Sequence, residues 1–260
     1  MFLVKYLLRT ISKIVGNLVK VFCYFFYIAL PNKRFKIKKD YAPLFNNPRS
    51  STIPRIFWQT NYTCHFTLPF LINHMVNRLL AYDYEFRFMT SEERLSFIVE
   101  NFDSKVQSAY ARLNIGAAQA DFWRLLVVYK NGGVYLDIDG SLVNPMHWSI
   151  KDDDELLFVK TKGGELSNYF FAGTPGHPDI WRLIQRVISN IEESTSNNIY
   201  DLTGPGVFNE VLGSEGVPTA YYLTTVNQGN FTNEFFQYID KPQGKWTKEQ
   251  HKVSVLKPPQ

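Results

Sequence analysis

Asp137 and Asp139 stand two residues apart at the end of a run, 134–139, whose β-branched, aromatic and aliphatic residues suit a strand. In a strand, positions i and i+2 share a face, so the two carboxylates point one way and Ile138 the other. Like charges side by side repel, so one takes up a proton, splays into water, or a cation joins the pair. Oxygen ligands suit a hard divalent ion, Mg²⁺ or Mn²⁺. A second charged pair lies upstream: Asp121 and Arg124 are three apart, on one face of a helix that is otherwise nearly all apolar from Ile115 to Tyr129. As a simple i,i+3 salt bridge the pair is worth roughly a few tenths of a kcal/mol. Buried, it needs further partners to offset desolvation, and sugar hydroxyls are suited to that role.

The elements that must position these residues are readable from periodicity. Phe122, Leu125, Leu126 and Tyr129 make one side of a helix that Asn131-Gly132-Gly133 stops. Upstream, 53–60 reads as a buried first strand with Pro54 tolerated near its start. Residues 68–82 have helical spacing through Leu71, Met75 and Leu79, and Tyr84, Phe86 and Phe88 alternate as a second strand. Ser91, with Glu92 and Glu93 behind it, opens a further helix. Downstream, 155–160 and 169–172 are strand-like, Pro178 starts a helix, Thr203-Gly204-Pro205 belongs to a special loop, and 220–225 suits a late strand. This alternation predicts an α/β domain with a largely parallel central sheet and ligand-binding residues at the C-terminal ends of strands.

With 260 residues, 45% of them apolar and 16% aromatic, the chain can fill a large core. Its net charge of +4 is uneven: residues 1–40 hold nine Lys/Arg against one acid, leaving 19 against 23 elsewhere. The folded body is therefore acidic, which argues against a nucleic-acid reader. Two cysteines, Cys23 and Cys64, make neither a disulfide framework nor a zinc site, and a reducing compartment fits best. Leu3, Leu7, Ile11, Ile14, Leu18, Phe22 and Phe26, with Lys5, Arg9, Lys13 and Lys20 between them, form a basic amphipathic helix pattern. Between residues 14 and 30 the only charge is Lys20, so both spanning and lying flat are open. The five cations of residues 31–39 favour the cytoplasmic face, beside anionic lipid. The expectation is a peripheral anchor over 1–39 rather than a cleaved signal peptide, a linker over 40–51, and one domain over 52–260.

Three motifs together carry a resemblance: Ile53-Pro54 to Gln59; Ala120-Asp121-x-x-Arg124; and Gly132-Gly133-x-Tyr135-Leu136-Asp137-x-Asp139. In this order and spacing they resemble glycosyltransferase family 32, the DXD-containing sugar transferases. The resemblance implies a GT-A type nucleotide-sugar-binding fold, a UDP- or GDP-sugar donor, Mn²⁺ or Mg²⁺, a glycan or glycolipid acceptor, and retention of anomeric configuration. Carried over residue by residue, it puts Asp137 near the donor sugar or ribose, Asp139 on the metal, and Asp121 and Arg124 against the donor sugar. Tyr135 and Asn168 become donor contacts, and Thr203-Gly204-Pro205 shapes the acceptor side. Trp58 and Gln59 stand where nucleobase or ribose contacts are made, with Trp58 equally suited to the core. The chain departs from the pattern at Asn61, where an aromatic is common, and at its C-terminus, where His251 stands in for a metal-site histidine. Two other readings of the carboxylate pair are a haloacid-dehalogenase-type phosphatase, for which Asp137-Ile138-Asp139-Gly140 would be the nucleophile loop, and a membrane-tethered sugar-nucleotide-binding protein without turnover.

Overall fold

A computed structural model describes residues 2–241 and 244–258. The chain begins with α1 (Phe2–Ala29), followed by the short strands β1 (Phe35–Lys36) and β2 (Asp40–Tyr41). Then come β3 (Ile56–Thr60), β4 (His65–Phe66), α2 (Leu68–Leu80), β5 (Glu85–Met89), α3 (Ser91–Asn101), α4 (Ser104–Arg112) and α5 (Gly116–Asn131). Past the centre follow β6 (Gly133–Leu136), β7 (Gly140–Leu142), β8 (Leu156–Lys160), β9 (Leu166–Gly173) and α6 (Pro178–Glu193). The last elements are α7 (Ile199–Leu202), α8 (Pro205–Leu212), β10 (Thr219–Tyr221), β11 (Val226–Gln228), α9 (Glu234–Tyr238) and α10 (Trp246–Glu249).

Seven strands form one sheet in the order β10-β8-β9-β6-β3-β5-β2. β3 pairs in parallel with both β5 and β6, and β10 with β8, while β9 and β2 run against their neighbours. Five strands thus point the same way, and the α/β expectation holds. Side chains alternate across this sheet even where every residue is buried. In β6, Tyr135 packs with α3 to α8 on one face, and Val134 and Leu136 join Phe57, Phe86 and Phe170 on the other. Within the first layer α5 is buried continuously from Asp121 to Val128, because α3, α6 and the sheet enclose it. The helix ends where Gly132 (φ 67°) and Gly133 (φ 102°) take positive φ; a Cβ at Gly133 would strike the Ile56 carbonyl, so only glycine lets β6 close on β3 here.

Three expectations change. β3 begins at Ile56 rather than Ile53, since Pro54 and its neighbours form a turn before the ladder. The expected late strand is split: β10 ends at Tyr221, a 3₁₀ turn follows at Tyr222–Thr224, and β11 pairs with β7 in a separate two-stranded sheet. Residues 40–51 do not form a free linker, because Asp40–Tyr41 supplies the sheet's edge strand against β5. Residues 35–36 also pair with β4, and α1 itself packs on the domain through Cys23 and Tyr27.

Candidate active site

At the C-terminal edge of the five co-directed strands lies a cleft of about 660 Å³. Asp121, Arg124, Tyr135, Asp137, Asp139 and Asn168 all line it. The two carboxylates do not lie along one strand. β6 stops at Leu136, and Asp137–Asp139 form a turn closed by the Gly140 amide donating to the Asp137 carbonyl at 2.9 Å. The turn joins β6 of the large sheet to β7 of the small one, and its geometry, not strand alternation, brings both acids to the cleft. Ile138 sits between them against the α1 side of the molecule.

Arg124 is the hub. Its guanidinium meets Asp121 at 2.8 Å and Asp137 at 3.2 Å, donates to the Asn168 carbonyl at 2.7 Å, and lies 4.5 Å from the Tyr135 ring centroid. Burial works against its charge, but Asp137, Tyr135 and Asp121 outweigh that and the net shift is upward, so it stays a cation. Asp121 also accepts from the Asn168 amide at 2.9 Å and the Thr203 hydroxyl at 3.3 Å. Burial pushes its carboxyl up to about 6, with Arg124 pulling the other way. Tyr135, its phenol held protonated by burial, donates to Asp137 Oδ1 at 2.6 Å. The Asp139 carboxylate accepts a long 3.4 Å bond from Gln228. Burial, then the charge of Asp137, pushes Asp139 up to about 7.

This excess of negative charge is what a divalent cation would relieve. Among the described residues no cluster of three His, Cys, Asp or Glu side chains stands ready for a metal. Two carboxylates completed by non-protein oxygens nevertheless match how Mg²⁺-like ions are held beside phosphates. The residues present therefore fit such an ion.

Other assignments move. Trp58 faces the helix layer, fully buried, its indole donating to the Gly132 carbonyl at 2.9 Å, and it does not line the cleft. Gln59 faces the opposite layer and pairs with His74 at 3.1 Å. Both belong to the core because β3 is an interior strand with helices over each face. The cleft rim there is formed instead by Thr60, Asn61 and Tyr62. His251 lies in an exposed turn after α10 and is not a lining residue; the C-terminal wall comes from Tyr238, Lys241, Lys245 and Trp246. Thr203 is fully buried behind Asp121 rather than on an acceptor face.

Sequence reasoning missed the residues that hold the turn. Asn73 and Asn77, four apart on α2 and fully buried, grip its backbone. Asn73 donates to the carbonyls of Ile138 and Gly140, each at 2.9 Å, and Asn77 donates to Gly140 at 2.8 Å and accepts from the Leu142 amide at 2.8 Å. Their signal was two amides at i,i+4 in an apolar helix, which Leu71, Met75 and Leu79 obscured; Met75 and Leu79 are in fact exposed.

Residues 69–157 match the family description "Glycosyltransferase sugar-binding region containing DXD motif". The chain is 23% identical over 204 residues to the initiation-specific alpha-1,6-mannosyltransferase of Schizosaccharomyces pombe, covering 65% of this chain and 50% of the relative. It is 26% identical over 170 residues to inositol phosphoceramide mannosyltransferase 1 of the same yeast, covering 60% and 50%. The chain thus spans about half the length of these curated relatives. Among solved structures it is similar to the PaToxG glycosyltransferase, at 16% identity, with 83% of this chain and 80% of that one covered and a TM-score of 0.47. Asp121, Arg124, Asp137 and Asp139 all lie inside the residues that match this DXD-containing sugar-binding region, and two fungal mannosyltransferases are similar to the chain over 60% or more of its length.

Proposed function

We propose that the protein is a retaining, metal-dependent glycosyltransferase that moves a sugar from a UDP- or GDP-sugar to a surface-glycan or lipid-linked acceptor. One observation supports this most: an ion pair on the central helix, Asp121 with Arg124, opens with Asn168 into the same cleft as Asp137 and Asp139. A metal-phosphate site alone would not need that buried pair.

Asp137 and Asp139 would hold Mn²⁺ or Mg²⁺, which when bound supplies Lewis-acid stabilisation of charge gathering on a leaving diphosphate. Asp121 and Asn168 present one acceptor and one amide to sugar hydroxyls. Arg124 fixes both Asp121 and Asp137 in place, and Tyr135 orients Asp137 from the other side. Tyr62, half-exposed at the rim, is suited to a nucleobase face. Residues 1–39 keep the enzyme at the cytoplasmic face of a membrane, near its acceptor.

The test is donor hydrolysis with Mn²⁺ across UDP- and GDP-sugars, mannose donors first because the relatives' names specify mannose. Turnover of one donor is expected, with the released sugar keeping its anomeric configuration by NMR. No donor turnover together with cleavage of a phosphomonoester would favour the phosphatase. That alternative is disfavoured by the family match, and by a nucleophile position, Asp137, already engaged by Tyr135 and Arg124. Donor binding without turnover would favour the non-catalytic binding protein.

A further inference from the structure

α1 has two opposed faces. At 100° per residue, Leu3, Leu7, Ile14, Leu18, Phe25 and Ile28 fall within roughly 80° of arc, and each is between 56% and 82% exposed. The opposite face is attached along its whole length. Lys5 donates to the Trp148 carbonyl, Lys20 to the Gly229 carbonyl at 3.0 Å, and the Tyr27 hydroxyl accepts from the Leu68 amide at 2.8 Å. Gly16 is fully seated against the chain, where a Cβ would collide with the Asn230 carbonyl oxygen. Ser12 accepts from Asn230 at 3.1 Å and Tyr24 from Asn233 at 2.8 Å, with the Tyr24 ring 4.8 Å from that of Phe236.

Most of these contacts fall on one segment, residues 229–236, and that segment also builds the cleft. The Gly229 amide donates to the Asp139 carbonyl at 3.0 Å, and Gly229, Thr232, Asn233 and Glu234 line the cavity. Its preceding residue, Gln228, holds the Asp139 carboxylate.

We propose that α1 lies flat in the interfacial layer of a membrane, its outward stripe in lipid, and that residues 229–236 transmit this docking to the Asp139 side of the cleft. The helix is long and apolar enough to cross a bilayer by length and composition. Crossing, however, would strip every inner-face contact and bring Lys13 and Lys20 to within about 7 Å of the midplane, where charge is strongly disfavoured. Lying flat keeps those contacts and buries only what is already exposed. Charge complementarity selects lipid as the occupant: Lys33, Lys36 and Lys38, exposed just beyond the helix, suit anionic headgroups. The identity of the cleft as a donor site rests on the reading above, but the surface and its linkage do not.

The full chain should float with vesicles of phosphatidylcholine containing phosphatidylserine. The triple variant Leu7→Glu, Leu18→Glu, Phe25→Glu, whose sites are solvent-facing, should keep its circular dichroism and lose binding by about a hundredfold or more. A fluorophore at Leu18→Cys, in a Cys64→Ser background, should be quenched by lipids labelled near the headgroup. On vesicle addition, hydrogen exchange should slow at 229–236 in the parent chain. In a Lys20→Met, Ser12→Ala variant that still floats, this slowing should shrink. Vesicle binding unchanged by the triple variant, quenching from the bilayer centre, a lipid-resistant dimer through α1, or unchanged exchange at 229–236 would each overturn the proposal. None of these readouts needs turnover, so an inactive protein leaves the test intact.

Discussion

Arg124 neutralises two carboxylates at once, the buried Asp121 and the partly buried Asp137, so its loss should cost far more than the loss of either acid. Arg124→Leu should lower stability by about 3–5 kcal/mol, because it strands Asp121 and Asp137 without a cation, and chemical denaturation measures this directly. Asp139→Asn should instead leave the melting temperature unchanged or slightly raised, since it removes repulsion with Asp137, while abolishing Mn²⁺-dependent donor binding by calorimetry; unchanged binding would remove Asp139 from the metal site. His74 gives a pH signature. Packed between the rings of Tyr41 and Phe86, near Arg78, it is pushed down to about 4 by burial and then by that cation. The folded form therefore prefers neutral imidazole, and between pH 6.5 and 4 the unfolded chain binds the extra proton. Stability should fall as pH drops through this window, by up to about 3 kcal/mol, and His74→Gln should flatten that part of the profile. At this scale the sequence exposed the acids and Arg124 through charge in apolar surroundings. It did not expose Gln59 as core and left Trp58 open between core and cleft, because an interior strand and a strand end share the same residue types.

α2 works as a clamp on the turn between β6 and β7 rather than as an ordinary amphipathic helix. Its buried face holds Phe70, Asn73, His74 and Asn77, and its solvent face carries Met75 and Leu79. Replacing Asn77 with Leu takes the side-chain acceptor from the buried Leu142 amide and one of two amide donors from the Gly140 carbonyl, which keeps Asn73. It should cost about 1–3 kcal/mol by denaturation, chiefly from the one buried amide left unpaired. Asn73→Asp, which keeps the acceptor for Ser141 but replaces the amide donor, should weaken Mn²⁺ binding in titration more than it lowers the melting temperature. Most elements were legible from periodicity: α5 with its double-glycine stop, α6 behind Pro178, and the alternating β5. The face of α2 was not, because apolar spacing identifies a helix but not which side the fold needs when amides pay their desolvation by binding backbone.

On the scale of the whole molecule, the layer order followed from strand-helix alternation, whereas the reversal of β9 and the second sheet depend on long-range pairing that no local pattern encodes. The docked α1 is of the same kind: its amphipathic pattern was plain, but not the segment it would seat upon. The turn bearing Asp137 and Asp139 is the covalent joint between the two sheets, and the site around it is completed from far along the chain, by Gln228 on Asp139 and by Asn168 and Thr203 on Asp121. All four charged site residues lie within residues 69–157, yet a fragment cut to those limits loses β3 and β9 from either side of β6, together with β11 from β7. Such a fragment should bind neither Mn²⁺ nor donor by calorimetry, and removing residues 226–258 from the full chain should weaken metal binding even where the large sheet survives by circular dichroism. The signature stretch is thus not a transplantable cassette: grafted into another scaffold, it would bring the charges without the geometry that makes them a site.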